Sequence, residues 1–77
     1  MKYHKLKIEM EHLKDIVIGV KTCEIRKNDR DYQVGDYIFF ENKGCDFPLS
    51  YYLITHVLRF PKGLKKNYVA LSIKPIR

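Results

Sequence analysis

A mainly β domain with one short helix, its sheet curled into a small barrel of about five strands, is the fold this 77-residue sequence predicts. Three observations lead there. Short stretches of alternating apolar and polar residues recur at near-regular spacing, as half-buried strands do. A single early stretch shows helical spacing instead. Polar or glycine-containing turns separate the stretches, and a sandwich would want more strands. Closing so small a sheet also removes exposed strand edges, which otherwise recruit other chains.

Residues 4–8 read as the first strand, with Leu6 and Ile8 alternating against Lys5 and Lys7. Residues 9–19 read as the helix. Met10, Leu13, Ile16 and Val17 fall on one side of it, and Glu11, Lys14 and Asp15 on the other. The β-branched run Ile16-Val17-Ile18 weakens its propensity, so it must lean on packing. Gly19 supplies the stop, because glycine reaches positive φ without a steric penalty.

Residues 21–27 alternate sharply, with Thr22, Glu24 and Arg26 on one face and Cys23 and Ile25 on the other, expected to be the core face. Residues 28–31 form a polar turn. Val34-Gly35-Asp36 forms a second, in which Asp36 is expected to stabilise the turn. Residues 37–41 are a strand dense in aromatics, and 42–50 a loop holding Gly44 and Pro48. Residues 51–60 read as a long strand and 61–67 as a basic turn. Residues 68–74 close the chain as a strand with Val69, Leu71 and Ile73 on one face.

One domain spanning residues 1–77 is expected, with no linker, repeat or low-complexity stretch. A chain this short buries only about 60% of its unfolded surface. An apolar share of 45% is normal for a globular protein. The charged opening Met1-Lys2-Tyr3-His4-Lys5 lacks the apolar core of a secretory signal, and no apolar run is long enough to span a membrane. A cytoplasmic monomer with free thiols at Cys23 and Cys45 is the expectation. The spacing of the two cysteines matches no zinc motif, so neither a metal nor a cofactor is expected.

The net charge of +6 is uneven. Residues 1–30 carry a net +3, residues 31–58 a net −3, and residues 59–77 a net +6. If the two basic ends meet in the fold, they make a face that attracts phosphates by counterion release; the alternative is a solvated surface. Arg59, Lys62, Lys65 and Lys66 are the candidates for phosphate contacts.

The densest polar segment runs from Lys21 to Asp36. In a small curled sheet one strand face points inward. Thr22, Glu24 and Arg26 are therefore expected to line a cleft, the alternative being a face open to water. Glu24 and Arg26 would lie about 7 Å apart along the strand, close enough to satisfy each other or to grip a ligand jointly. Arg26 offers a planar fork suited to phosphate or a base edge, Glu24 an acceptor for an exocyclic amine, and Lys21 a compact charge at the cleft mouth. Lys27, Asn28 and Arg30 extend the candidate ligand-binding set, and His4 joins it from the first strand. His56 is expected to be a hydrogen-bonded structural residue and His12 a solvated one. Of Tyr37, Phe39, Tyr51 and Tyr52, one is expected to face ligand and the rest to fill the core.

The string Gly19-Val20-Lys21-Thr22-Cys23-Glu24-Ile25-Arg26, followed by Lys27-Asn28-Asp29-Arg30-Asp31 and Val34-Gly35-Asp36, resembles the ASCH superfamily of PUA-like domains. Within it the chain is most similar to the DUF3850 group of small phage and bacterial proteins. His4-Lys5-Leu6-Lys7-Ile8 matches the opening of that group, and Ile54-Thr55-His56-Val57-Leu58 and the stretch 63–73 match its last strands. The resemblance implies a PUA-like β-barrel with a helix near its opening and a cleft under the Gly-x-Lys-Thr segment. It also implies a role in RNA binding. One branch of the superfamily resembles an amidohydrolase acting on N4-acylcytidine. There Lys21 matches the catalytic lysine, whereas Glu24 stands where that branch has a threonine, and Glu41 is the candidate for its more distant glutamate.

The leading expectation is therefore a module that binds RNA or a modified nucleotide rather than an enzyme. The alternatives are an amidohydrolase on an acylated nucleoside, with Lys21 and Glu24 moving protons, and a small protein-interaction module of phage origin.

Overall fold

The structure is a computed structural model, and it describes residues 1–46, 49–59 and 62–76. The chain runs β1 (Tyr3–Lys7), α1 (Met10–Val17), β2 (Cys23–Lys27), β3 (Tyr37–Glu41), β4 (Tyr52–Leu58) and β5 (Tyr68–Pro75). Five strands and one helix match the expected count. Pro48, Phe60, Pro61 and Arg77 lie outside the described residues.

The strands form one sheet in the order β1-β3-β4-β5-β2. β1 pairs with β3 in parallel, Tyr3 opposite Tyr37 and Lys7 opposite Glu41. A parallel pair needs a long crossover, and α1 and β2 lie within it. The remaining pairs are antiparallel, with a register shift in β4 between Ile54 and His56. β1 and β2 are the edges of the sheet, so the ladder itself does not close.

Alternation sorts the side chains. Leu6, Ile38, Phe40, Ile54, Val69 and Leu71 are buried, joined by Leu13 and Ile16 from α1. On β2 the inward residues are the polar ones. Glu24 lies opposite Leu71 and Arg26 opposite Val69 in the register with β5, and Glu24 is buried. Cys23 is exposed and Ile25 is 56% exposed. The expectation that these two face the core is thus reversed: the curl turns the polar side of β2 inward and the apolar side out. Val17, expected on the buried side of α1, is 40% exposed, and the helix turns Leu13 and Ile16 into the core instead.

The helix ends as the sequence suggests. Ile18 caps it, Gly19 has φ +90, Gly19 N donates to Ile16 O at 3.2 Å and Val20 N to Asp15 O at 3.0 Å. That pair of bonds is the Schellman arrangement. Lys21 N also donates to Asp15 O at 3.0 Å, so the cap sets where Lys21 leaves the helix. Before β3, Asp36 N donates to Gln33 O at 3.1 Å and Gly35 has φ +95, a β-turn whose third residue requires positive φ.

Candidate functional site

Glu24 is the centre of an ion cluster on the inner face of β2. Its Oε1 accepts from Lys21 Nζ at 2.9 Å and its Oε2 from Arg26 Nε at 2.7 Å. Lys21 Nζ also donates to the carbonyl of Cys23. Two cations thus share one carboxylate, and the cluster keeps a net positive charge. Glu24 and Arg26 satisfy each other, which alternation alone leaves open.

Arg26 does more than neutralise Glu24. Its Nη2 donates to Lys7 O at 2.7 Å, joining the edge strands β2 and β1 where no ladder does. Next to this contact, Asn42 Nδ2 donates to Ile8 O at 2.8 Å and Asn42 Oδ1 accepts from Gly44 N at 2.9 Å. Side chains from β2 and from the segment after β3 therefore cover the backbone carbonyls at the end of β1. Among the described residues, Arg26 Nη1 has no protein acceptor.

A cleft of about 940 Å³ follows this seam. Lys7, Glu24, Arg26, Lys27, Glu41 and Lys43 bring charge of both signs to it, and Ile25, Phe39, Leu49 and Tyr68 supply apolar walls. Glu9 and His12 line it from the α1 side. A second, smaller groove of about 290 Å³ lies at the C-terminal end of α1, lined by Lys21, Thr22 and Ser50 among apolar residues including Ile16, Ile18 and Ile73. The single cleft expected from the sequence is thus two. Lys21 and Thr22 line one and Glu24 and Arg26 the other, with the Lys21–Glu24 ion pair between them.

Away from the cleft, His4 and Asp36 form a buried pair, His4 Nε2 to Asp36 Oδ2 at 2.9 Å. Asp36 also accepts from Lys2 N at 3.0 Å and Gln33 N at 3.1 Å. Burial acts to raise its pKa, but these hydrogen bonds outweigh it and hold the carboxyl below its ordinary value. His4 packs edge-on against Tyr32 with ring centroids 4.8 Å apart, and it does not line the cleft. Tyr32 is buried, and burial raises its pKa, against the lowering influence of Arg26 and Arg30. Neither Tyr32 nor Asn42 stands out in the sequence, since Tyr32 falls between two stretches that read as turns and Asn42 opens one that reads as a loop.

Residues 1–30 and 59–77 meet along the β2–β5 ladder. Asn28 N donates to Asn67 O at 2.6 Å, and Lys27 lies opposite Tyr68. The turn carrying Lys65 and Lys66 therefore sits beside the end of β2. Asn28 Oδ1 accepts from Tyr32 N at 3.1 Å, so Asn28 fixes the following turn. Arg30, Arg59, Lys62, Lys65 and Lys66 are exposed and lie outside the cleft. His56 is exposed on β4 after the register shift. Of the four aromatics, Tyr52 is buried and Phe39 lines the cleft.

Among the described residues no group of three or more His, Cys, Asp or Glu side chains comes together as metal ligands, and no helix is long and apolar enough to cross a membrane. No curated protein matches the chain. Among solved structures, the crystal structure of the hypothetical protein PH0355 is similar in fold, with a TM-score of 0.66 at 21% identity, over 99% of this chain and all of that one. A family model matches residues 3–73, and the chain belongs to that family, a domain of unknown function (DUF3850).

Proposed function

We propose that this domain binds a nucleotide or nucleic acid in the seam cleft, as a PUA-like module of the cytoplasm. One observation carries the reading. Arg26 is held at the junction of β1 and β2 by Glu24 and the Lys7 carbonyl, with Nη1 uncommitted among the described residues. A guanidinium pre-set in this way loses little entropy on meeting a phosphate or a base edge.

The surroundings support the same ligand class. Lys7, Lys27 and Lys43 add donors for phosphate, and Phe39 and Tyr68 add ring surface for a base. Glu41 is an acceptor for an exocyclic amine, while Glu24 is engaged by Lys21 and Arg26 and acts by holding the guanidinium. The turn bearing Lys65 and Lys66 stands beside the end of β2 and adds attraction that is independent of sequence. The amidohydrolase reading has less support. Lys21 opens onto the smaller groove, and its ammonium is engaged by Glu24.

Affinity for a short RNA, measured across salt concentration, tests the proposal. A steep fall in log affinity with log salt is expected, because phosphate binding releases counterions. Affinity that does not change with salt contradicts it.

A further inference from the structure

Phe39 belongs to two features at once. It lines the seam cleft, and its ring centroid lies 5.3 Å from that of Tyr51. Tyr51 meets Tyr3 edge-on at 5.5 Å, and Tyr3 stacks on Tyr37 at 5.0 Å with 21° between the planes. These four rings, from β1, β3 and the residue before β4, make a continuous aromatic path leading out of the cleft.

The core does not account for this path. Tyr32, Phe40 and Tyr52 fill the interior, whereas Tyr3 is 65% exposed and Tyr51 44% exposed. Tyr3 and Tyr37 are register partners in the β1–β3 ladder, so their contact stabilises the sheet, while the ring surface left in water is an apolar patch open to a ligand that uses ring faces. The neighbouring charges say which ligand. Alternation puts Lys5 on the same side of β1 as Tyr3, and Lys5 lies opposite Phe39 in the ladder. Lys74 is exposed on β5 opposite Leu53, at the level of Tyr37. Rings flanked by lysines match alternating bases and phosphates, because every base has a face to stack and every linkage a negative charge.

Building on the binding role proposed for the cleft, we propose that the Phe39–Tyr51–Tyr3–Tyr37 row is a stacking platform for a single-stranded nucleic acid whose end occupies the cleft. Lys5 and Lys74 meet its phosphates. Single strands are favoured over duplex, since paired bases keep their faces stacked on one another.

The test is fluorescence anisotropy with a labelled twelve-nucleotide RNA, the matching duplex and a trinucleotide. The proteins are the wild type, the Tyr3→Ala/Tyr51→Ala and Tyr3→Phe/Tyr51→Phe doubles, and Arg26→Gln, each checked for folding by circular dichroism. The Ala double is expected to bind the long single strand at least about tenfold more weakly. The Phe double, which keeps the ring faces, stays within about twofold of wild type, and trinucleotide binding changes with neither. If the Ala double binds the long strand like wild type while Arg26→Gln weakens it, the platform is overturned and the cleft reading stands. Duplex bound as tightly as single strand also overturns the platform. A wild type that binds none of the three probes overturns both.

Discussion

Arg26 Nη2 reaches the carbonyl oxygen of Lys7 at 2.7 Å, and this contact joins the two strands that the sheet leaves at opposite edges. The guanidinium can do this because Glu24 holds its Nε at 2.7 Å. A planar group bonded at two points cannot swing away from the seam. Closure of the sheet thus depends on a side chain where a full barrel would use a backbone ladder.

Replacing Arg26 with methionine keeps much of the apolar stem and removes both bonds. Stability is expected to fall by about 1–3 kcal/mol in urea unfolding. Arg26→Lys recovers only part of that, because an ammonium lacks the fork that spans two acceptors. Full recovery by lysine would show that charge alone matters here.

The His4–Asp36 pair fixes the start of β1 against the turn before β3. Asp36 accepts three bonds, one from the buried His4 ring and two from the part-buried backbone N–H groups of Lys2 and Gln33. Asp36→Ala is expected to cost about 2–4 kcal/mol. Asp36→Asn costs less, since its amide oxygen still accepts. Equal losses for the two substitutions would mean that the bonds contribute little.

Stability should fall at both ends of the pH range. The Asp36 carboxyl is held below its ordinary value, so its contribution is present above the unfolded value, about 3.9, and is lost as pH falls through the folded one. Tyr32 and Tyr52 are raised by burial. Their phenols stay protonated in the folded chain while the unfolded chain ionises from about pH 10, so stability declines as pH rises further. Urea midpoints measured across pH check both limbs. Tyr32→Phe should flatten the alkaline limb relative to wild type, and an unchanged limb would count against the assignment to Tyr32.

Gly19 is needed for its backbone and not for space. A Cβ there would meet nothing within 4 Å, but φ is +90. Gly19→Ala is expected to cost about 1 kcal/mol, and Gly19→Asn less, because asparagine tolerates positive φ better. Thermal melts of the two variants check the order.

The sequence made the strands legible where alternation was strong and local. Residues 37–41 were read with the bounds the structure gives β3, and the Gly19 stop follows from one residue. Orientation was harder. The alternation of β2 is plain in the sequence, but a period of two does not say which face is inside when the inner face is polar, and Cys23 and Ile25 lie outward. Other misses were non-local. Asp36 was legible as a turn residue, whereas its bond to His4 spans 32 positions. Tyr32 lies among charged neighbours that advertise a solvated turn, and only the folded chain shows that its ring packs against His4. The division of Lys21 from Arg26 into separate grooves depends on where α1 sits, which no spacing on β2 encodes.

The most direct test of the central claim, that the seam around Arg26 is the binding site, is an NMR titration of the labelled protein. The probes are cytidine nucleotides, a short single-stranded RNA and a structured RNA. The account predicts shifts clustered at Lys7, Arg26, Lys27 and Lys43, together with the Arg26 side-chain Nε–H, and their loss in Arg26→Gln. Absence of shifts with every probe, or shifts confined to residues away from the seam, would contradict it.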